Sequence, residues 1–138
     1  MKTSLIASLA LLCLSAPVFA GDAAKGESEF KKCRSCHEIV ADDGTVIVKG
    51  GKTGPNLYGV IGRTAGSTDF KYGDSLKAAG EAGIVWDETN IVTYTADPKA
   101  FVIEVTGDAA AKTKMTFKLK KGAEDVAAYL ASVGPAAN

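Results

Sequence analysis

Apolar positions along the chain recur with a helical period wherever a period is clear. The last stretch is the sharpest. Val126, Tyr129, Leu130 and Val133 fall at i, i+3, i+4 and i+7, on one face of a helix that Gly134-Pro135 ends. A first helix is expected from an N-cap at Asp22, with Gly26, Phe30, Cys33 and His37 following at helical spacing. A glycine on that face implies that another element crosses close to it. Asp74 to Ala79 supplies one or two helical turns, stopped by Gly80 and Gly83. Asp87 caps a helix through Tyr94, with Ile91 and Tyr94 on one side. Asp97-Pro98 then restarts the chain as N-cap and first helical position, with Phe101, Val102 and Val105 inside.

From about Asp42 to Gly66 the pattern loses its period and fills with glycine, so this stretch reads as loop, with a short hairpin at Thr45 to Val48. The expectation is an all-α fold of four to five short helices and long loops, with no sustained sheet and no internal repeat. A loop of that length is out of place in a compact domain unless something binds inside it. A large apolar cofactor would supply the core that so few apolar side chains leave incomplete.

The first twenty residues, "MKTSLIASLALLCLSAPVFA", read as a cleaved secretory signal peptide. Lys2 gives a positive start, Leu5 to Leu14 a short apolar core, and Val18 and Ala20 suit a cleavage site. That core is too short to span a bilayer comfortably. The mature chain is then a single domain over residues 21–138, exported to the periplasm or beyond. Cys13 leaves with the signal, so Cys33 and Cys36 remain. The whole sequence carries 16 basic and 16 acidic residues, a balance that argues against a general nucleic-acid binder.

Candidate chemistry concentrates in "CRSCH", residues 33 to 37. A structural zinc site wants four ligands, whereas residues 21–138 offer two thiols and His37, the only histidine of the sequence. A redox dithiol normally opens a helix after a strand, and here the motif follows a helix in a chain with no strands to spare. Read whole, C-x-x-C-H is the attachment signature of haem c. Two thiols three residues apart can add across the vinyl groups of one porphyrin edge, and the next residue offers its imidazole to the iron. With no second histidine, the other axial ligand by elimination is Met115, the one methionine after the signal. The alternatives are Met115 as a core filler and an open sixth position, as in a haem enzyme or gas sensor. Two filled axial positions favour an electron carrier over an enzyme.

Read together, "GDAAKGESEFKKCRSCHEI", "KTGPNLYGVIGRTAG", Trp86, "YTADPKAF", "TKMTF" and "DVAAYL" resemble a class I c-type cytochrome of the bacterial cytochrome c2 and c-550 group. The resemblance runs from about residue 21 to 133 and implies the cytochrome c fold around one haem c. It implies that the Pro55 carbonyl takes the Nδ1 proton of His37, and that Arg63, Tyr72 and Trp86 lie around the haem propionates. It also implies that the Tyr94 hydroxyl lies near the Met115 sulfur, that Thr113 and Phe117 flank this ligand, and that Gly26 and Phe30 cross the last helix near Tyr129. "VIVKGG" and "EVTGDAAA" look like insertions relative to the shortest members.

Lys112, Lys114, Lys118, Lys120 and Lys121 fall within ten residues, uninterrupted in sequence by an acidic one, while Lys31, Lys32 and Arg34 flank the thiols and Lys49 and Lys52 follow. Around an exposed haem edge such a ring would attract acidic partners, more weakly as salt rises. Asp22, Glu27 and Glu29 are expected at the rear. The resemblance implies a monomer that carries one electron without inserting into a membrane. Its implied donor is a cytochrome bc complex. Its acceptor is a photosynthetic reaction centre, a terminal oxidase, a peroxidase or a denitrification enzyme.

Overall fold

The Asp22 carboxylate accepts from the amides of Ala24 and Lys25 at 3.0 and 3.1 Å and starts helix α1, Ala23–Glu29. These are distances in a computed structural model, which describes residues 21–135; the expected signal peptide lies outside the described residues. The helical run does not reach His37. It tightens at Phe30–Lys32 into a 3₁₀ turn and then closes a turn in which the amides of Cys36 and His37 both point at the Cys33 carbonyl. Hydrogen bonding explains the stop. The Arg34 and Cys36 carbonyls, which a continuing helix would use, are taken by the amides of Gly51 and Gly54, and the Val40 amide goes to the Asn56 side chain.

The expected hairpin has a second strand, too short to show a period in the sequence. Strand β1, Ile39–Val40, pairs antiparallel with β2, Val46–Val48, with Ile39 opposite Val48. Ile39 is fully buried, and the Asn56 amide holds β1 by giving a bond to the Val40 carbonyl at 2.7 Å and taking the Val40 N–H at 3.0 Å.

Four helices follow: α2, Asp74–Glu81; α3, Glu88–Ala96; α4, Pro98–Thr106; and α5, Ala123–Ser132. Asp87 caps α3 through the Asn90 amide and Asp97 caps α4 through the Ala100 amide, as their spacing predicts. Gly107 ends α4 at φ 69°. Gly80 does not stop α2 but lies within it. A Cβ there would fall 3.0 Å from the Ala65 carbonyl carbon, so the glycine lets the loop of residues 64–65 lie against the helix.

Helix α1 crosses α5 at Gly26, where a Cβ would come within 2.8 Å of the Tyr129 Cβ. Phe30 then stacks obliquely on Tyr129 at 5.7 Å. Behind this crossing, Trp86, Tyr94 and Phe101 form a closed triangle of rings with centroids 5.0 to 5.7 Å apart. The crossing and the triangle are two fixed walls, and the loops that carry the candidate chemistry lie across them.

Candidate functional site

Three glycines let the loop of residues 50–55 lie directly on the thiol-bearing turn. A Cβ at Gly50 would overlap the His37 carbonyl, and one at Gly51 would fall 2.9 Å from the Ser35 carbonyl carbon. Gly54 faces the imidazole itself: its Cβ would lie 2.7 Å from Nδ1 and 2.8 Å from Nε2 of His37. The loop is pinned by Gly51 N–H to Arg34 at 2.9 Å and Gly54 N–H to Cys36 at 2.8 Å.

That contact sets the tautomer of His37. Nδ1 lies 2.8 Å from the Pro55 carbonyl, which can only accept, so the proton is on Nδ1 and Nε2 keeps its lone pair. Burial lowers the imidazole's pKa, with the Pro55 bond working against it, which favours the neutral form a metal requires.

The imidazole borders an apolar cavity of about 280 Å³, which brings together residues spread over a hundred positions of sequence. Cys33, Cys36, His37, Pro55, Arg63, Tyr72, Trp86, Tyr94 and Met115 all line it. Cys33 is half-buried, and burial pushes its thiol up to about 11. Cys36 is exposed, and hydrogen bonds from Thr53 and Ser35 hold its thiol below the ordinary value. Met115 comes in on the chain between α4 and α5. The Thr113 hydroxyl bonds both its N–H and its carbonyl at 3.2 Å. Burial raises the pKa of Tyr94, opposed by a hydrogen bond with the Thr113 side chain, so Tyr94 and the methionine loop meet.

The three residues expected around propionates have structural duties as well. Arg63 donates to the carbonyls of Asn56, at 3.0 Å, and Tyr58, which leaves three of its five N–H donors. Its own carbonyl takes the Trp86 amide at 2.8 Å, so the two residues are neighbours through the backbone. The Tyr72 hydroxyl is 2.7 Å from the hydroxyl of Thr68.

Sequence reasoning passed over much of the apolar lining: Leu57, Val60, Phe70, Leu76 and Leu130. Leu130 was legible only as core, and Phe70, which meets Tyr72 edge-on at 5.1 Å, stands in a polar stretch with no period to mark it. Gly54 was passed over too, although its place beside Pro55 was a signal.

Ion pairs divide the lysine cluster. Lys32, Lys112 and Lys114 reach the cavity, and Lys31 and Lys120 are exposed. Asp97, distant in sequence, meets Lys118 at 2.6 Å. Glu29, expected at the rear, pairs with Lys32 beside the thiols. Folding thus brings Asp97 to a lysine run that has no acidic residue within it, while Glu29 meets Lys32 as a local pair three residues away.

No protein-family model matches the chain. It is 64% identical over 135 residues to cytochrome c2 from Rhodobacter capsulatus, covering 96% of this chain and 98% of that protein. It is 56% identical over 140 residues to cytochrome c-550 from Paracoccus versutus, covering 98% and 91%. The chain belongs to the c2 group of class I c-type cytochromes. The structure of ferric cytochrome c-550 from Paracoccus versutus matches it with a TM-score of 0.82 at 57% identity, over 84% of this chain and 100% of that one. Cytochrome c2 from Rhodobacter capsulatus matches with a TM-score of 0.80 at 65% identity, over 82% and 98%.

As a c2-group cytochrome, the chain has the cytochrome c fold, carries one haem c bound through Cys33 and Cys36, and transfers electrons rather than acting as an enzyme. The cavity suits that group. It offers apolar walls for a macrocycle, two thiols, a nitrogen lone pair on Nε2, a thioether, and N–H and O–H donors on Arg63, Trp86 and Tyr72 that a carboxylate can use. The zinc and dithiol readings end here.

Proposed function

We propose that this cytochrome is a periplasmic one-electron carrier in which His37 and Met115 would ligate the iron of haem c. The observation that carries the reading is the imidazole whose Nδ1 proton is committed to Pro55, facing a cavity that Met115 also lines. Haem c supplies the Fe(II)/Fe(III) couple. The protein holds the imidazole in one tautomer, offers a neutral soft sulfur that favours the ferrous state, and keeps water from the apolar cavity. Arg63, Tyr72 and Trp86 serve the propionates, and Tyr94 with Thr113 orients the methionine loop. The signal peptide is removed before Gly21. A cytochrome bc complex supplies the electron, and a reaction centre or a terminal reductase or oxidase receives it.

The ligand assignment is tested by the visible spectrum of the purified protein beside that of Met115→Ala. The wild type should give sharp ferrous bands and a weak far-red ferric band from sulfur ligation. The variant should lose the far-red band and bind carbon monoxide readily in the ferrous state. A wild type that already binds carbon monoxide would reverse the reading toward a haem enzyme.

Docking rests on Lys31, Lys32, Lys112, Lys114, Lys118 and Lys120, which the ion pairs make unequal. Lys114→Glu places a negative charge at the cavity mouth and should slow electron transfer with an acidic partner several-fold at low ionic strength. Lys118→Glu also frees Asp97, so its loss mixes two effects and should be partly reversed by Asp97→Asn. Stopped-flow rates against ionic strength check both. A Lys114→Glu rate equal to wild type at low salt would remove that residue from the docking surface.

A further inference from the structure

The chain between α4 and α5 holds Met115 with no regular structure around it. Two fixed points bracket the ligand. Downstream, Leu119 is buried and its N–H donates to the Thr95 carbonyl at 2.8 Å. Upstream, Ala111 is buried, and the Lys112 N–H donates to the hydroxyl of Ser75, in the first turn of α2, at 2.9 Å. The downstream bond joins two backbone groups, so changing a side chain does not delete either partner. The upstream bond hangs on one hydroxyl.

Ser75 is free for this task because it does not cap its own helix; α2 begins at Gly73 with no side-chain cap. The remaining ties are weaker constraints. The Thr113 hydroxyl bonds within the loop, and its outside partner is the Tyr94 side chain rather than a fixed backbone group. Lys114 reaches the Lys71 carbonyl, and Lys118 reaches Asp97, each through a long flexible stem at the surface.

We propose that Ser75 is a positioning residue whose hydroxyl clasps the upstream end of the Met115 loop and limits how readily a small ligand displaces Met115 from the iron. The inference rests on Met115 being the axial ligand. A segment held firmly at both ends has few conformations once its central residue lets go, whereas one whose upstream hold falls back from Lys112 to buried Ala111 has more. Releasing the clasp therefore favours the open state through chain entropy. The Lys112 residue is exposed, so water takes over its N–H when the hydroxyl is removed, and the fold as a whole loses little. The effect is local opening, selective for the loop.

The test titrates the ferric holoprotein with imidazole while following the far-red sulfur band. Ser75→Ala should bind imidazole about five-fold more tightly, the change expected from one net hydrogen bond. Ser75→Thr, which keeps the hydroxyl, should restore the wild-type value. Amide exchange at Lys112 should quicken in Ser75→Ala while α1 and α5 hold their protection. In a Met115→Ala background the serine change should leave imidazole affinity unaltered, because no thioether remains to be displaced. Unchanged affinity in Ser75→Ala alone, or an equal gain in the Met115→Ala background, would overturn the clasp. A far-red band that survives Met115→Ala would overturn the ligand assignment itself, and the clasp with it.

Discussion

Gly54→Ala is expected to unseat the His37 imidazole and cost about 2 kcal/mol or more of stability, toward the upper end of overpacking penalties. The methyl group would lie 2.7 Å from Nδ1 and 2.8 Å from Nε2, well inside van der Waals contact. Neither side can give cheaply. Moving the loop strains two hydrogen bonds, Gly54 N–H to Cys36 and His37 Nδ1–H to Pro55. Moving the ring instead takes Nε2 off its line into the cavity. Either way, the ligation proposed for His37 weakens while the thiols keep their attachment chemistry. Urea denaturation should show the lost stability, and the ferric spectrum should shift toward a weakened or high-spin iron. A variant with native spectrum and native midpoint would mean that the loop relaxes freely and that Gly54 does not position the ligand.

Gly26→Val should be more damaging to the fold, with a loss of about 3 kcal/mol or more from a total that for a domain of this size is of order 5–15. The obstacle is largely backbone: a Cβ at Gly26 would meet the Asp125 carbonyl carbon at 2.5 Å and the Tyr129 Cβ at 2.8 Å. Helix α1 would have to lift from α5 and loosen Phe30, which is buried against Tyr129 and lines the cavity three residues before Cys33. Gly26→Ala separates the two physical effects in play. Helix propensity alone predicts a gain of about 1 kcal/mol, whereas the close approach predicts a net loss. We expect the loss to win, read as a lower thermal midpoint by circular dichroism. A higher midpoint would show that the helices can separate at little cost.

Much of this architecture was legible beforehand, for reasons that differ from element to element. The starts of α3 and α4 were readable because an aspartate carboxylate satisfies amides two or three residues on, a local event. Helix α5 was readable because burying one face imposes the i, i+3, i+4 period. The end of α1 was not. Cys33 and His37 continue its spacing, and what halts the helix is competition for the Arg34 and Cys36 carbonyls by Gly51 and Gly54. Strand β1 was missed because two residues carry no period. Gly80 was misread as a stop because only its contact with residues 64–65 explains why a glycine stands inside α2.

The thiols, the lone histidine and Met115 were legible as ligand candidates in the sequence itself, because ligand chemistry depends on atom type and, within residues 21–138, the histidine and the methionine have no competitor. The order of the motifs determined the family in the same way. Tertiary structure alone decided the rest. It brings the Pro55 carbonyl to 2.8 Å from Nδ1, lays Gly54 against the imidazole, takes Lys118 out of the free lysine cluster by pairing it with Asp97, and joins Ser75 to a loop 37 residues away. These are through-space contacts between segments with no shared period. Which carbonyl, hydroxyl or carboxylate meets a given donor depends on how the glycine-rich loops close over the helix crossing.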